Sequence, residues 1–217
     1  MEGILLLDKP QGITSFDCIR ILRRKLGIRK MGHAGTLDPM ATGLMIIGVG
    51  EGTKKLHEFL KLDKTYEAEI LLGIRTDTGD ITGKALESQN IEITKYQNNE
   101  IAQALRSMVG KLLLPVPAYS AIKRGGEALY KKARRGETVD APVKTMEVRS
   151  AEFLGMSSLA NTDGRQCLLK VRFDVTSGTY IRSLAEELGR RLGVPATLAA
   201  LRRTRIGIFK VEDAQQL

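Results

Sequence analysis

An α+β fold on a mixed, mainly antiparallel central sheet flanked by helices is the class this 217-residue sequence predicts. Three observations carry that expectation. Segments alternating apolar and polar residues at period two stand beside segments with apolar residues three and four apart. Strand and helix signals follow one another without a regular βαβ rhythm. No Ser/Pro-rich linker divides the chain, so a single domain over residues 1–217 is expected.

The first segment, GILLL (3–7), is a short apolar strand. The turn DKPQG then leads to Thr14 and Ser15, a good N-cap for a helix over about 15–26 with Phe16, Ile19, Leu22 and Leu26 inward. LMIIGVG (44–50) has the continuous apolar character of a buried strand, and GTKKLHEFL (52–60) follows as a helix. KTYEAEILLG (64–73) sets Tyr66, Ala68, Ile70 and Leu72 against Glu67 and Glu69, a half-buried strand. NNEIAQALRSMVG (98–110) is a helix. Segment 115–142 is basic, glycine-bearing and flanked by PVP and AP, and is expected to form an arm. Cys167, Leu169, Val171, Phe173 and Val175 alternate along CLLKVRFDVTSG (167–178), again a strand. TYIRSLAEELGRRLG (179–193) is a helix capped by Ser177 or Thr179 and ended by Gly193.

A net charge of +9 and a pI of about 9.6 favour a polyanionic partner, nucleic acid before membrane. Half of the 34 basic residues fall in three runs: 20–30 holds six and no acid, 123–135 six against one Glu, 190–205 five and no acid. A phosphate-tracking surface suits such runs, since neutralised phosphates supply most sequence-independent affinity. Three solvated faces are the alternative. No apolar run approaches the roughly 18 residues of a membrane span, and no signal peptide heads the chain. Two cysteines without CxxC spacing or secretory context lead to the expectation of a reducing cytoplasm. Cys18 and Cys167 lack CxxC spacing, and two cysteines and two histidines scattered singly predict no metal site.

Several motifs carry less than they suggest. GVGEGTK (48–54) has a strand-to-helix context but not the spacing of a phosphate-binding loop. TDTGD (76–80) lacks the further acids of a calcium loop, so Asp77 and Asp80 are expected as solvated turn carboxylates. His57 reads as a surface or boundary residue, and no Ser-His-Asp set can be assembled.

Three features remain. Asp38 is the lone acid of GHAGTLDPMATG (32–43), where Pro39 biases it toward an extended backbone and the glycines permit close approach. Tyr66 begins an amphipathic strand. Arg182 lies in SGTYIRS at a strand-to-helix junction, well placed to pair with a carboxylate and, if buried, to hold it ionised.

DKPQGITS (8–15), GHAGTLDPMATGLMIIGVGEGTK (32–54), KTYEAEILLGIRTDTGD (64–80), PAYSAIKRGGEALYKKARRGE (117–137), SGTYIRSLAEELG (177–189) and LRRTRIG (201–207) together resemble, in this order, the TruB-type tRNA pseudouridine synthases. The likeness runs from about residue 4 to residue 210, and its specificity rests on GHAGTLDP together with GTYIR. It implies a pseudouridine synthase fold with an RNA-clamping arm. The implied activity is a cofactor-free isomerisation of uridine-55 in the T-loop of tRNA, on a flipped base. The implied partner is the tRNA T-stem-loop, and the protein is expected to be a monomer with neither metal nor membrane. The family's essential aspartate falls on Asp38, its base-stacking tyrosine on Tyr66 and its aspartate-pairing arginine on Arg182. Contacts to the flipped nucleotide fall on His33, Tyr66, Tyr180 and Leu201. Lys9 and Pro10 resemble the family's structural brace. RNA contacts are expected from Lys123, Arg124, Lys131, Lys132, Arg134 and Arg135 in the arm, and from Arg202 and Arg203. Family members usually continue into a small C-terminal domain of the PUA type; this chain ends at EDAQQL, and a short form lacking that domain is expected.

The residue types suit the chemistry. Isomerisation cleaves the bond from the anomeric carbon to nitrogen 1, turns the uracil and rejoins it at carbon 5, with no redox change and no group donor. An ionised carboxylate can serve as nucleophile or as an electrostatic and proton-handling group, and both roles stay open for Asp38. Unstacking the base costs a few kcal/mol, of which an aromatic platform such as Tyr66 returns roughly 1–3 kcal/mol. A non-catalytic RNA-binding module is the competing class. The joint presence of Asp38, Tyr66 and Arg182 argues against it.

Overall fold

Thr14 starts the first helix as its sequence dictates: its hydroxyl accepts from the Asp17 amide at 3.0 Å while the Asp17 carboxylate accepts from the Thr14 amide at 2.9 Å. The computed structural model describes residues 3–91, 97–158 and 167–217. Its elements are β1 (Gly3–Lys9), α1 (Ser15–Leu26), β2 (Met31–His33), β3 (Thr42–Val49), a 3-10 segment (Gly50–Lys55) and α2 (Leu56–Leu60). Next come β4 (Lys64–Leu72), β5 (Ile74–Thr76), β6 (Ala85–Ser88), α3 (Asn98–Ser107), β7 (Gly110–Pro115), β8 (Lys123–Arg124), β9 (Glu127–Ala128) and α4 (Leu129–Arg134). The chain continues with β10 (Val143–Ser158), β11 (Cys167–Val175), α5 (Ile181–Leu192), β12 (Ala196–Ile206), β13 (Phe209–Lys210) and β14 (Gln215–Gln216). Helices flank a sheet with both parallel and antiparallel pairs, the α+β class that the sequence predicts. Among the described residues, no helix is long and apolar enough to cross a membrane.

The chain forms two compact units, and β4, β11 and β12 contribute residues to both. The first unit holds residues 1–67, 174–177 and 201–217. Here β1 runs antiparallel to β3 from Gly3 opposite Val49 to Lys9 opposite Gly43, and β14 lies parallel to β1. On the other edge of β3, β2 pairs at one end (Met31 opposite Val49, His33 opposite Ile47) and β12 at the other (Arg202 opposite Thr42, Arg203 opposite Gly43). Ala34, Leu44, Ile46, Ile206 and Val211 form the core on one side, with Phe59 and Phe209 packed edge to face at 5.6 Å.

The second unit holds residues 68–173 and 178–200. Its strands follow the order β4-β11-β10-β7, with β10 antiparallel to β7 from Val143 opposite Pro115 to Val148 opposite Gly110. Alternate residues of β11 are buried, as period two demands, and α3 packs on β10 and α5. The β8–β9 hairpin turns at Gly125 and Gly126, both with positive φ, the conformation that favours glycine at both turn positions.

Several local expectations need correction. Phe16 is 56% exposed rather than inward, with the Arg23 guanidinium 5.7 Å from its ring centroid. Segment 52–60 is a 3-10 turn running into one short α-helix. Tyr180, not Ser177 or Thr179, occupies the cap of α5, without a side-chain cap bond. Strands β7, β10 and β12 fall outside the elements that the sequence predicts.

Candidate active site

Asp38 sits half-buried on the loop between β2 and β3, and the main chain on both sides of it is tied down. Ser15 Oγ donates to the Leu37 carbonyl at 3.1 Å and accepts from the Leu37 amide at 2.9 Å. The buried Lys9 ammonium donates to the carbonyls of Ala41 at 2.7 Å, Pro10 at 2.9 Å and Pro39 at 3.3 Å. The Gly12 amide reaches the Pro39 carbonyl at 2.8 Å, and the Ala41 amide closes back onto the Asp38 carbonyl at 3.0 Å. None of these anchors uses the Asp38 carboxylate. Lys9 thus binds main chain from both the KP turn and the Asp38 loop; burial lowers its pKa, opposed by the negative charge of Asp38 and reinforced by Arg203.

His33, at the end of β2, is half-buried. Burial, with the charge of Arg203 added, pushes its imidazole below the ordinary histidine value, which favours the neutral ring at pH 7. Tyr66 and Leu201 are both buried at 9% exposure, on β4 and β12. The strand beside Tyr66 is fixed by a network that the sequence did not reveal. Arg205 donates to Thr65 Oγ1 and to the Asp174 carboxylate, each at 2.9 Å, and Thr65 donates to Asp174.

In the second unit, Arg182 emerges from the first turn of α5 and is 6% exposed. Its guanidinium donates to the Thr78 carbonyl at 2.9 Å and the Tyr119 carbonyl at 3.0 Å, and lies 3.9 Å from the Asp80 carboxylate. Asp80 corrects the sequence reading, because it is buried rather than solvated. One of its oxygens accepts from Thr78 Oγ1 and the Thr82 amide, each at 3.0 Å, and from Thr82 Oγ1 at 2.5 Å. Asp77 is the more open of the two and accepts from the Lys84 amide at 2.8 Å. Tyr180, half-buried at the helix cap, has the Lys144 ammonium 5.9 Å from its ring centroid.

The cations of the basic run at 123–135 divide into two groups. Arg124 pairs with Asp140 at 2.5 Å, and Arg135 pairs with Glu127 and Glu137, each at 2.6 Å. Arg134 lies 5.4 Å from the Tyr130 ring centroid, Lys123 and Lys131 are exposed, and Lys132 is half-buried. In the first unit Arg202 forms an ion pair with Asp8 at 2.7 Å. Arg203, expected to contact RNA, is 1% exposed and faces the protein interior. A side chain so enclosed cannot meet a phosphate without unfolding its surroundings, so Arg203 is not an RNA contact. Among the described residues, no cluster of three His, Cys, Asp or Glu could hold a metal ion.

The chain matches the TruB family pseudouridylate synthase (N terminal domain) over residues 23–181. It is 44% identical over 217 residues to tRNA pseudouridine synthase B of Aromatoleum aromaticum and 40% identical over 216 residues to that of Thermobifida fusca. It covers 67% and 73% of those two proteins. The Xanthomonas oryzae enzyme is 44% identical over 97% of the chain, which covers 65% of that relative. The chain therefore spans about two thirds of the length of these curated relatives. Among solved structures, one of a Cbf5-Nop10-Gar1 complex superposes with a TM-score of 0.69 at 29% identity, over 99% of this chain and 52% of that one. A second, of an H/ACA RNP bound to a substrate RNA, gives 0.67 at 26% identity, over 99% and 50%. The sheet is that of the pseudouridine synthase fold, and the chain belongs to the TruB family of pseudouridylate synthases, which are isomerases.

Proposed function

We propose that this chain isomerises uridine to pseudouridine in tRNA, at position 55 of the T-loop, on a base flipped out of its stack. Asp38 is the essential carboxylate. The observation that carries this reading is the anchoring of the Asp38 loop at Leu37, Pro39 and Ala41, which holds the residue in place through its main chain. Such preorganisation is what a carboxylate facing a developing cationic sugar requires. Tyr66 serves as the aromatic platform, Arg182 completes the catalytic set as its cation, and His33, Tyr180 and Leu201 line the flipped nucleotide. Lys123, Lys131, Lys132 and Arg134 have no acidic partner among the described ion pairs and supply the phosphate contacts. The reaction is redox-neutral, needs no cofactor, and is carried out by a cytoplasmic monomer.

An unmodified tRNA transcript incubated with the purified chain should gain pseudouridine, mapped chemically, at position 55 and without a guide RNA. Asp38→Asn and Asp38→Ala should bind the transcript and make no product. Full turnover by cleanly purified Asp38→Ala ends the proposal, and binding without product by the wild type favours a non-catalytic RNA module.

A further inference from the structure

We propose that Arg203 is a positioning residue for Asp38, its guanidinium bridging a gap in the sheet at the point where the Asp38 loop leaves and rejoins it. The inference rests on the catalytic role proposed for Asp38. The first observation is topological. One edge of β3 is covered by β1 along its length, whereas the other is shared by β12, which reaches Gly43, and β2, which begins at Ile47. Between those limits, among the described residues, no strand pairs with β3 on this edge. The Ile46 carbonyl accepts from the Ala34 amide at 2.9 Å, and the Leu44 carbonyl accepts from Arg203 Nε at 2.7 Å. The same guanidinium donates to the Gly35 carbonyl at 3.2 Å. Gly35 and Leu44 bracket the loop that carries Asp38, so one planar group fastens both of its stems.

The second observation explains how a charged group reaches this place. Gly43 has a φ of +106°, and a Cβ there would lie 2.3 Å from the Arg203 carbonyl oxygen. Only glycine lets the β12 main chain come this close to β3, and that approach delivers the Arg203 side chain beneath the loop. Arg203 is among the largest fully buried side chains of the protein, and its described hydrogen bonds go to main-chain carbonyls. A buried cation is costly unless its donors are satisfied. Here the cost is offset by dipoles of the loop stems, which are held in return. Lysine is a poor replacement, because its donors radiate from one nitrogen, whereas the planar guanidinium presents Nε to Leu44 and a separate terminal nitrogen to Gly35 in a fixed geometry.

The test uses Arg203→Lys and Arg203→Gln in the full chain, with amide hydrogen exchange read beside turnover. The Leu37 and Ala41 amides report the loop, and the β1–β3 ladder reports the fold. In Arg203→Lys the two loop amides should exchange at least about 10-fold faster while the ladder keeps its protection. Turnover should fall by about 10-fold or more with tRNA affinity within about twofold of wild type, since small misplacement of a catalytic group costs rate rather than binding. Wild-type exchange and turnover in Arg203→Lys overturn the proposal, as does loss of ladder protection in both variants, which marks a general stabiliser. A wild-type chain that makes no pseudouridine defeats the proposed function instead, and the exchange data then decide by themselves whether Arg203 orders the loop.

Discussion

Ser15 and Leu37 are joined twice, the serine hydroxyl accepting from the leucine amide at 2.9 Å and donating to its carbonyl at 3.1 Å. The start of α1 is thereby fastened to the residue preceding Asp38. Both residues are buried, so Ser15→Ala leaves an amide and a carbonyl without partners. The expected loss is about 1–3 kcal/mol in urea unfolding, with a fall in turnover. A loss below about 0.5 kcal/mol would mean that water replaces the hydroxyl.

Two glycines of the same unit separate steric need from conformational need. Gly12 has a φ of +90° with nothing within 4 Å of the place a Cβ would take, whereas Gly43 would set its Cβ against the Arg203 main chain. Gly12→Ala should cost about 1–2 kcal/mol, the strain of a left-handed backbone alone. Gly43→Ala should cost more than about 4 kcal/mol or abolish folding, because neither strand can give way. Equal thermal shifts for the two variants would contradict the close approach of β12 to β3.

Lys64 gives a signed pH dependence. Its ammonium donates to the Leu60 carbonyl at 2.7 Å and the Leu62 carbonyl at 2.5 Å, yet burial, with Arg203 adding to it, brings its pKa down to about 8. Between pH 8 and the ordinary lysine value of 10.5 the folded chain binds fewer protons at this site than the unfolded chain. Stability from this group therefore rises with pH across that window, and its penalty is fully present below it. Relative to Lys64→Met, the wild type should gain on the order of 2 kcal/mol between pH 8 and 10. Parallel stability curves for the two proteins would refute the shift.

The basic run at 123–135 offers a test of charge pairing. Lys131→Ala or Arg134→Ala should each lower the slope of log affinity against log salt by roughly 0.7–0.9 on tRNA. Arg135→Ala should lower it less, because Glu127 and Glu137 already neutralise that guanidinium at 2.6 Å. Identical slopes for all three variants would show that the paired arginine exchanges its acids for phosphates.

Elements whose pattern is local are legible in the sequence. The Thr14 cap and α1, the alternation of β4 and β11, and Gly193 at the end of α5 follow from spacing within a few residues. The Asp38 loop is legible for the same reason, since a carboxylate before proline among glycines is an unusual local arrangement. Strand β12 is hidden because two adjacent arginines read as surface, although one of them points into the protein. Strand β10 is hidden because exposed Val143 and the glycine at 155 blur its alternation.

By itself, the sequence determined the family, the class of fold and the residues on which the chemistry is proposed to rest, because each is written in short contiguous motifs. The tertiary structure alone decided which charges are available. Asp80 bridges to Leu198, a strand residue far along the chain, and Arg203 lies 159 residues after Leu44, whose carbonyl it holds. Burial and pairing are set by such distant neighbours, and no local pattern distinguishes a cation aimed at solvent from one aimed at a carbonyl.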